Sequence, residues 1–109
     1  MNGWRVEVLN EIVRAEIAAL PEDIRARLAH IVDMMVAVGP ERMRAPQVKP
    51  LRGKLWEMRM SGRDGIARAI YMAVSGQRIV ILHAFVKKTQ KTPPQAIRLA
   101  LVRAKELER

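Results

Sequence analysis

The stretch Arg78-Ile79-Val80-Ile81-Leu82-His83-Ala84-Phe85-Val86-Lys87-Lys88-Thr89-Gln90-Lys91-Thr92-Pro93-Pro94 decides the fold. Apart from Arg78 and His83, residues 78–86 are apolar, rich in β-branched side chains and of strand length, which reads as a buried strand. Lys87, Lys88 and Lys91 follow at once, so a rigid element delivers them to one end of a small sheet. Pro93-Pro94 then suits the opening of a helix, which runs to about Leu107 with Ile97, Leu101, Val102 and Leu107 facing inward.

Working back from this stretch, Ser75-Gly76-Gln77 reads as a turn joining it to a second strand over 66–74. Leu55-Trp56-Glu57-Met58-Arg59-Met60 alternates and reads as a third. Side chains two apart on a strand share a face, so Trp56, Met58 and Met60 lie on one side and Glu57 and Arg59 on the other. Ser61-Gly62-Arg63-Asp64-Gly65 reads as the hairpin loop between these strands. Upstream, residues 40–53 form a connector containing Pro40, Pro46, Pro50 and Gly53.

The acidic first part reads as a strand at Trp4–Val8 followed by a helical hairpin. Asn10 caps a helix whose apolar face is Ile12, Val13, Ile17 and Leu20. Pro21 opens a second helix carrying Ile24, Leu28, Ile31, Val32, Met35 and Val38, which Gly39-Pro40 stops. The order is β-α-α-β-β-β-α. Short turns between consecutive strands imply a small antiparallel sheet, and helices on one face of it give an α+β domain. The opposite face stays partly open, where charges can gather. With 109 residues and no linker or repeat, residues 1–109 read as a single domain.

Charge is distributed unevenly along the chain. Residues 1–41 hold 4 Lys/Arg against 7 Asp/Glu, whereas residues 42–109 hold 16 against 4, so the second part supplies the whole net charge of +9. Such an imbalance suits a polyanionic partner, a solvated basic surface being the plainer alternative. Half the residues are apolar, enough to argue against disorder. The absence of cysteine removes disulfides and thiolate metal sites. Neither a membrane-spanning run nor an N-terminal leader is legible, and the chain reads as cytoplasmic.

His30 and His83 lie far apart in no metal-ligand spacing, and neither a Gly-rich phosphate loop nor a nucleophile elbow is present. No cofactor is implied. Arg, Lys, one Glu, one Tyr and one His remain on or beside the strands, a set that suits phosphodiester chemistry. Cleaving RNA requires deprotonating a 2′-hydroxyl, stabilising charge on five-coordinate phosphorus and protonating the leaving oxygen. Fixed cations perform the second task, and a group of shifted pKa performs the others. Each residue also has a plainer reading. Glu57 and Arg59 could be an exposed pair on one strand. Tyr71 could be a core aromatic, and His83 a hydrogen-bonded core histidine. Arg68, inside an apolar strand, needs a partner or a ligand.

Residues 49–59 (Lys49-Pro-Leu-Arg52-Gly-Lys54-Leu-Trp-Glu57-Met-Arg59), 65–71 (Gly65-Ile-Ala-Arg68-Ala-Ile-Tyr71) and 82–94 resemble the RelE/ParE superfamily of toxins of type II toxin–antitoxin systems. The phage-derived, HigB-type branch is the most similar. The resemblance implies a RelE-like fold and a metal-independent, ribosome-dependent mRNA endonuclease that inhibits translation. It also implies silencing by an antitoxin, usually a helix-turn-helix protein, with operator DNA bound only through the toxin–antitoxin complex. On matching positions the basic residues to which relatives' cleavage is attributed are Arg59, Arg68 and Lys88, with Lys54 and Lys87 beside them. Arg59 and Arg68 would then hold the scissile phosphate. Lys88 leads for proton transfer, with Glu57 and His83 behind it. Lys49, Arg52, Lys54, Lys87 and Lys91 would contact the mRNA and ribosomal RNA backbone. A ParE-like poison of DNA gyrase and a non-catalytic RNA- or ribosome-binding module are the alternatives.

Overall fold

The computed structural model describes residues 3–63, 65–88 and 91–108, the last without its side chain. Asp64, Thr89 and Gln90, read above as parts of a loop and of the lysine-rich run, lie outside the described residues. In chain order the elements are β1 (Arg5–Val8), α1 (Glu11–Ala18), α2 (Glu22–Val38), a 3-10 turn at Pro40–Arg42, β2 (Val48–Pro50), β3 (Trp56–Gly62), β4 (Gly65–Val74), β5 (Arg78–Lys87) and α3 (Pro94–Ala104), with 3-10 structure at Lys105–Glu108. The strands form one five-stranded sheet in the order β1-β5-β4-β3-β2. The α+β class and the order of the longer elements agree with the sequence.

Local signals explain most boundaries. The Asn10 side chain accepts the Val13 N–H at 3.0 Å, satisfying an otherwise orphaned donor at the start of α1. Gly39 ends α2 with φ +86°, a conformation costly for residues carrying a Cβ. Pro50 sits on an edge strand, where a missing N–H costs no ladder bond.

Three expectations are corrected. First, the sheet is mixed: β1 runs parallel to β5, with Val6 opposite Ile79, while all other pairs are antiparallel. Period-2 alternation reveals a strand but not the direction of a partner some seventy residues away. Second, the connector contains β2, which pairs with Trp56–Met58 across a tight turn closed by a Leu51 N–H to Leu55 carbonyl bond of 2.9 Å. The connector's three prolines and four cations hid it.

Third, helices cover both faces of the sheet. α1 and α2 pack on one, burying Val13, Ile24, Leu28, Ile31 and Met35 against Met58, Met60, Ala67, Ala69 and Ile81. On the other, α3 lays Ala96, Ala100 and Ala104 against Leu55, Ile70, Met72, Val80 and Leu82. The near-continuous apolar runs of β4 and β5 were the signal, because a strand covered on both faces loses its polar alternation. Alanine at every fourth position lets α3 approach closely. Ile97 and Leu101 are partly buried beside this stripe, whereas Val102 and Ile12, expected inward, are 61% exposed each.

The two helical layers meet around the β5 edge, past the end of β1. There Glu16 of α1 accepts two bonds from Arg103 of α3, at 2.9 and 2.8 Å, one from the Ala84 N–H at 3.1 Å, and lies 2.8 Å from His83 Nδ1. Arg103 also donates to the Leu82 carbonyl at 2.8 Å. Burial pushes the Glu16 carboxyl upward, but Arg103, His83 and the Ala84 N–H outweigh it and lower its pKa to about 2. A depressed carboxyl pKa stabilises the fold above the ordinary value of 4.5, and the contribution disappears as pH falls from there towards 2. Between those limits the protein is expected to lose roughly 2–3 kcal/mol that a Glu16→Gln variant does not lose. Urea unfolding of both proteins across that range checks it; parallel curves would contradict this account.

Candidate functional site

Beyond the end of α3 the same sheet face turns from apolar to charged. In the register Arg59 lies opposite Arg68, Arg68 opposite Phe85, and Ile66 opposite Lys87. Glu57 lies opposite Ile70. Glu57, Arg59, Arg68 and Lys87 therefore share one face over three adjacent strands.

Two guanidinium groups directly across a ladder repel unless something compensates. Glu57 does so: its Oε2 lies 3.4 Å from Arg68 Nε and 3.6 Å from Arg59 Nε. The Thr92 hydroxyl, just before α3, donates to Glu57 Oε1, anchoring the lysine-rich segment's far end to the sheet. Glu57 and Arg68 are 2% exposed each, Lys87 is 5% exposed, and the Arg59 side chain keeps 27% of its surface. Arg68 Nη1 additionally donates to the Ala67 carbonyl at 2.9 Å. Arg59 is thus the open member of the group and Arg68 the rigid one.

Burial pushes the pKa of Lys87 down, and the neighbouring Arg68, Arg59 and Lys49 push it the same way against the opposing pull of Glu57. Arg68 is lowered too, by burial first, with Glu57 partly restoring it. Three cations around one carboxylate leave a net positive site. Arg59 and Arg68 line a cavity of about 370 Å³, whose other wall includes Arg27 and His30 of α2 and Gln47. Fixed guanidinium groups beside a desolvated amine can bind a phosphodiester, stabilise added charge on it and move a proton.

A β-bulge in β5 makes this arrangement. Ile70 pairs with His83 but Tyr71 pairs with Ile81, so Leu82 is the extra residue. An extra residue reverses which side chains face which way beyond it. Val80 and Leu82 therefore face α3, while past the bulge His83, Phe85 and Lys87 take that face. Of the paired lysines, the structure brings Lys87 into the cluster, and Lys88 is exposed one residue beyond the end of β5.

Comparison with known proteins bears on the family and the fold. Residues 15–105 match the family described as "Phage derived protein Gp49-like (DUF891)". The chain belongs to the phage-derived Gp49-like family. A relative named "Probable endoribonuclease HigB1", from two strains of Mycobacterium tuberculosis, is 34% identical over 94 residues, covering 86% of this chain and 72% of that protein. Among solved structures, a double arginine-to-alanine mutant of the Escherichia coli toxin RelE in the free state aligns with a TM-score of 0.67 at 15% identity, over 93% of this chain and 97% of that one. An archaeal RelE–RelB complex from Pyrococcus horikoshii aligns with a TM-score of 0.56 at 23% identity, over 77% and 94%. The fold of this Gp49-like chain is that of the RelE toxins, and the HigB-type resemblance of its motifs is borne out.

The Gp49-like match spans every residue of the cluster. Of the residues singled out in the sequence, Glu57, Arg59, Arg68 and Lys87 come together, and Lys49 on β2 is near enough for its charge to act on Lys87. Arg52, Lys54, Lys88 and Lys91 are exposed. His83 shares the strand face but is engaged by Glu16 and stacks on Phe85 with ring centroids 4.7 Å apart. Tyr71 is a core residue on the opposite face, where burial raises its phenol pKa. Sequence reasoning missed Thr92 as the partner of Glu57; a polar residue ahead of two prolines carried no signal of that contact. Among the described residues, no helix is long and apolar enough to cross a membrane.

Proposed function

We propose that this Gp49-like protein is the toxin of a toxin–antitoxin system and acts as an endoribonuclease on mRNA held by the ribosome. The observation that carries this reading is the convergence of Arg59, Arg68 and Lys87 about the single buried carboxylate of Glu57, in a chain related to a probable endoribonuclease. In this reading Arg59 and Arg68 grip the scissile phosphate and stabilise the charge that grows on it. Glu57 holds both guanidinium groups in place. Lys87 is the proton-transfer group, a role its lowered pKa suits, with Lys88 outside as a backbone contact. Lys49, Arg52, Lys54 and Lys91 meet the RNA backbone, contacts that position without specifying sequence. His83 serves the fold. The partner is an antitoxin, as the RelE relative in complex with RelB suggests, and the site of action is the cytoplasm.

Brief induction followed by 5′-end mapping of transcripts tests the reading. Growth arrest with new mRNA ends confined to translated regions is expected. Intact mRNA with DNA damage would turn the assignment to a gyrase poison. Lys87→Met is expected to lower cleavage by roughly 100-fold or more and to remove the alkaline dependence of the rate. An unchanged pH–rate profile in that variant would move proton transfer to another group.

A further inference from the structure

A second cavity, of about 690 Å³, opens on the α1/α2 side of the sheet where neither helix reaches it. Trp56 of β3 and Tyr71 of β4 face each other across the ladder on its floor, and Trp4, just ahead of β1, lines it as well. Both tryptophans and the one tyrosine of the chain therefore line this cavity. Trp56 leaves 39% of its surface exposed, a large uncovered area for an aromatic ring in mid-sheet. Around the rim stand Arg44, Lys49 and Lys54, against the single acid Glu41.

We propose that this cavity is a base-docking subsite for single-stranded RNA, with an unpaired nucleobase stacked on Trp56 and the flanking phosphates held by Arg44, Lys49 and Lys54. The inference rests on the endoribonuclease reading and adds to it a second point of contact for the same strand. Every base offers a π-face to an aromatic ring, and aromatic platforms fringed by cations are how proteins hold unpaired strands. An apolar protein side chain could fill the floor but would leave three rim cations facing one carboxylate. Continuity with the cluster favours RNA further. Lys49 lines this cavity, yet its charge also acts on Lys87, and β2, which carries it, is an edge strand of three residues. A ribose-phosphate chain can thus cross the sheet edge at Lys49 and reach Arg59 and Arg68 with cations along its course.

Intrinsic fluorescence reads the subsite directly, because no tryptophan lies elsewhere. The full-length protein is titrated at low salt with a short unstructured RNA, with the same RNA made abasic, and with inorganic polyphosphate, binding being followed in parallel by competition against a labelled RNA. Saturable quenching by the intact RNA alone is expected, with Trp56→Ala weakening its affinity about tenfold and Trp56→Phe restoring most of it. Lys54→Ala, at an exposed turn position, is expected to weaken binding uniformly and to reduce the salt slope by about one. Equal quenching by abasic RNA or polyphosphate would overturn base docking. So would RNA binding without quenching, or an absence of saturable binding. In each of those cases, continued cleavage of translated mRNA would leave the phosphate cluster's assignment standing.

Discussion

Arg59→Ala is expected to reduce ribosome-dependent mRNA cleavage by roughly 100- to 1,000-fold, the usual loss when one preorganised donor is removed from a charge-stabilising site. The variant should nevertheless fold. Arg59 is the most exposed member of the cluster, and Glu57 keeps Arg68 and the Thr92 hydroxyl as partners without it. Removing a partly solvated partner of an ion pair typically costs on the order of 1 kcal/mol. Cleavage of a defined mRNA on programmed ribosomes, measured beside a thermal melt, separates the two effects. A fully active Arg59→Ala protein would place the phosphate elsewhere.

Arg68→Ala is expected to fail in a different way. Its side chain is 3% exposed and sits beside an equally buried carboxylate, so its loss leaves that buried charge with only the partly solvated Arg59 as counter-ion. Breaking a buried pair from one side typically costs about 3–5 kcal/mol, because the remaining ion cannot regain its hydration. For a domain of this size that is a fall in melting temperature of more than about 12 °C. Arg68→Met combined with Glu57→Leu removes both charges together and is expected to recover most of the stability while remaining inactive. Urea unfolding of the single and double variants tests this. An Arg68→Ala protein as stable as the parent would mean that Glu57 does not depend on Arg68. A stable, inactive double variant would separate the electrostatic role of Arg68 from its role in the fold, which a destabilised single variant cannot do.

Much of the cluster was legible before any coordinates. Arg68 between apolar neighbours demanded a partner, and alternation around Trp56-Glu57-Met58-Arg59 placed Glu57 and Arg59 on the face where that partner was found. What alternation left open was burial: an exposed Glu57–Arg59 pair was one of two readings, whereas in the fold Arg68 and Thr92 enclose Glu57. Its role as counter-charge to two arginines emerges only when β4 and the segment ahead of α3 are set against β3.

The lysines show the limit more sharply. Along β5, strict alternation from Val80 would place Leu82, Ala84, Val86 and Lys88 on one face. The bulge at Leu82 inserts one residue and hands that face to His83, Phe85 and Lys87. Nothing in Ile79-Val80-Ile81-Leu82-His83 marks it, since every residue there is acceptable on either side of a covered sheet. The edge beyond β1, the Glu16 carboxylate that receives the Ala84 N–H, and Arg103 on the Leu82 carbonyl hold the strand in its shifted phase.

The chain by itself determined roughly where the longer strands and helices lie, because capping, chain-stopping residues and hydrophobic period act over a few residues. It also determined that the second part of the protein carries the cations. Only the tertiary structure decided the parallel pairing of β1, the second helical layer and which of Lys87 and Lys88 lies in the charged cluster. Those depend on which distant surfaces bury one another, and a one-residue shift in register changes every side chain beyond it while leaving local preferences satisfied.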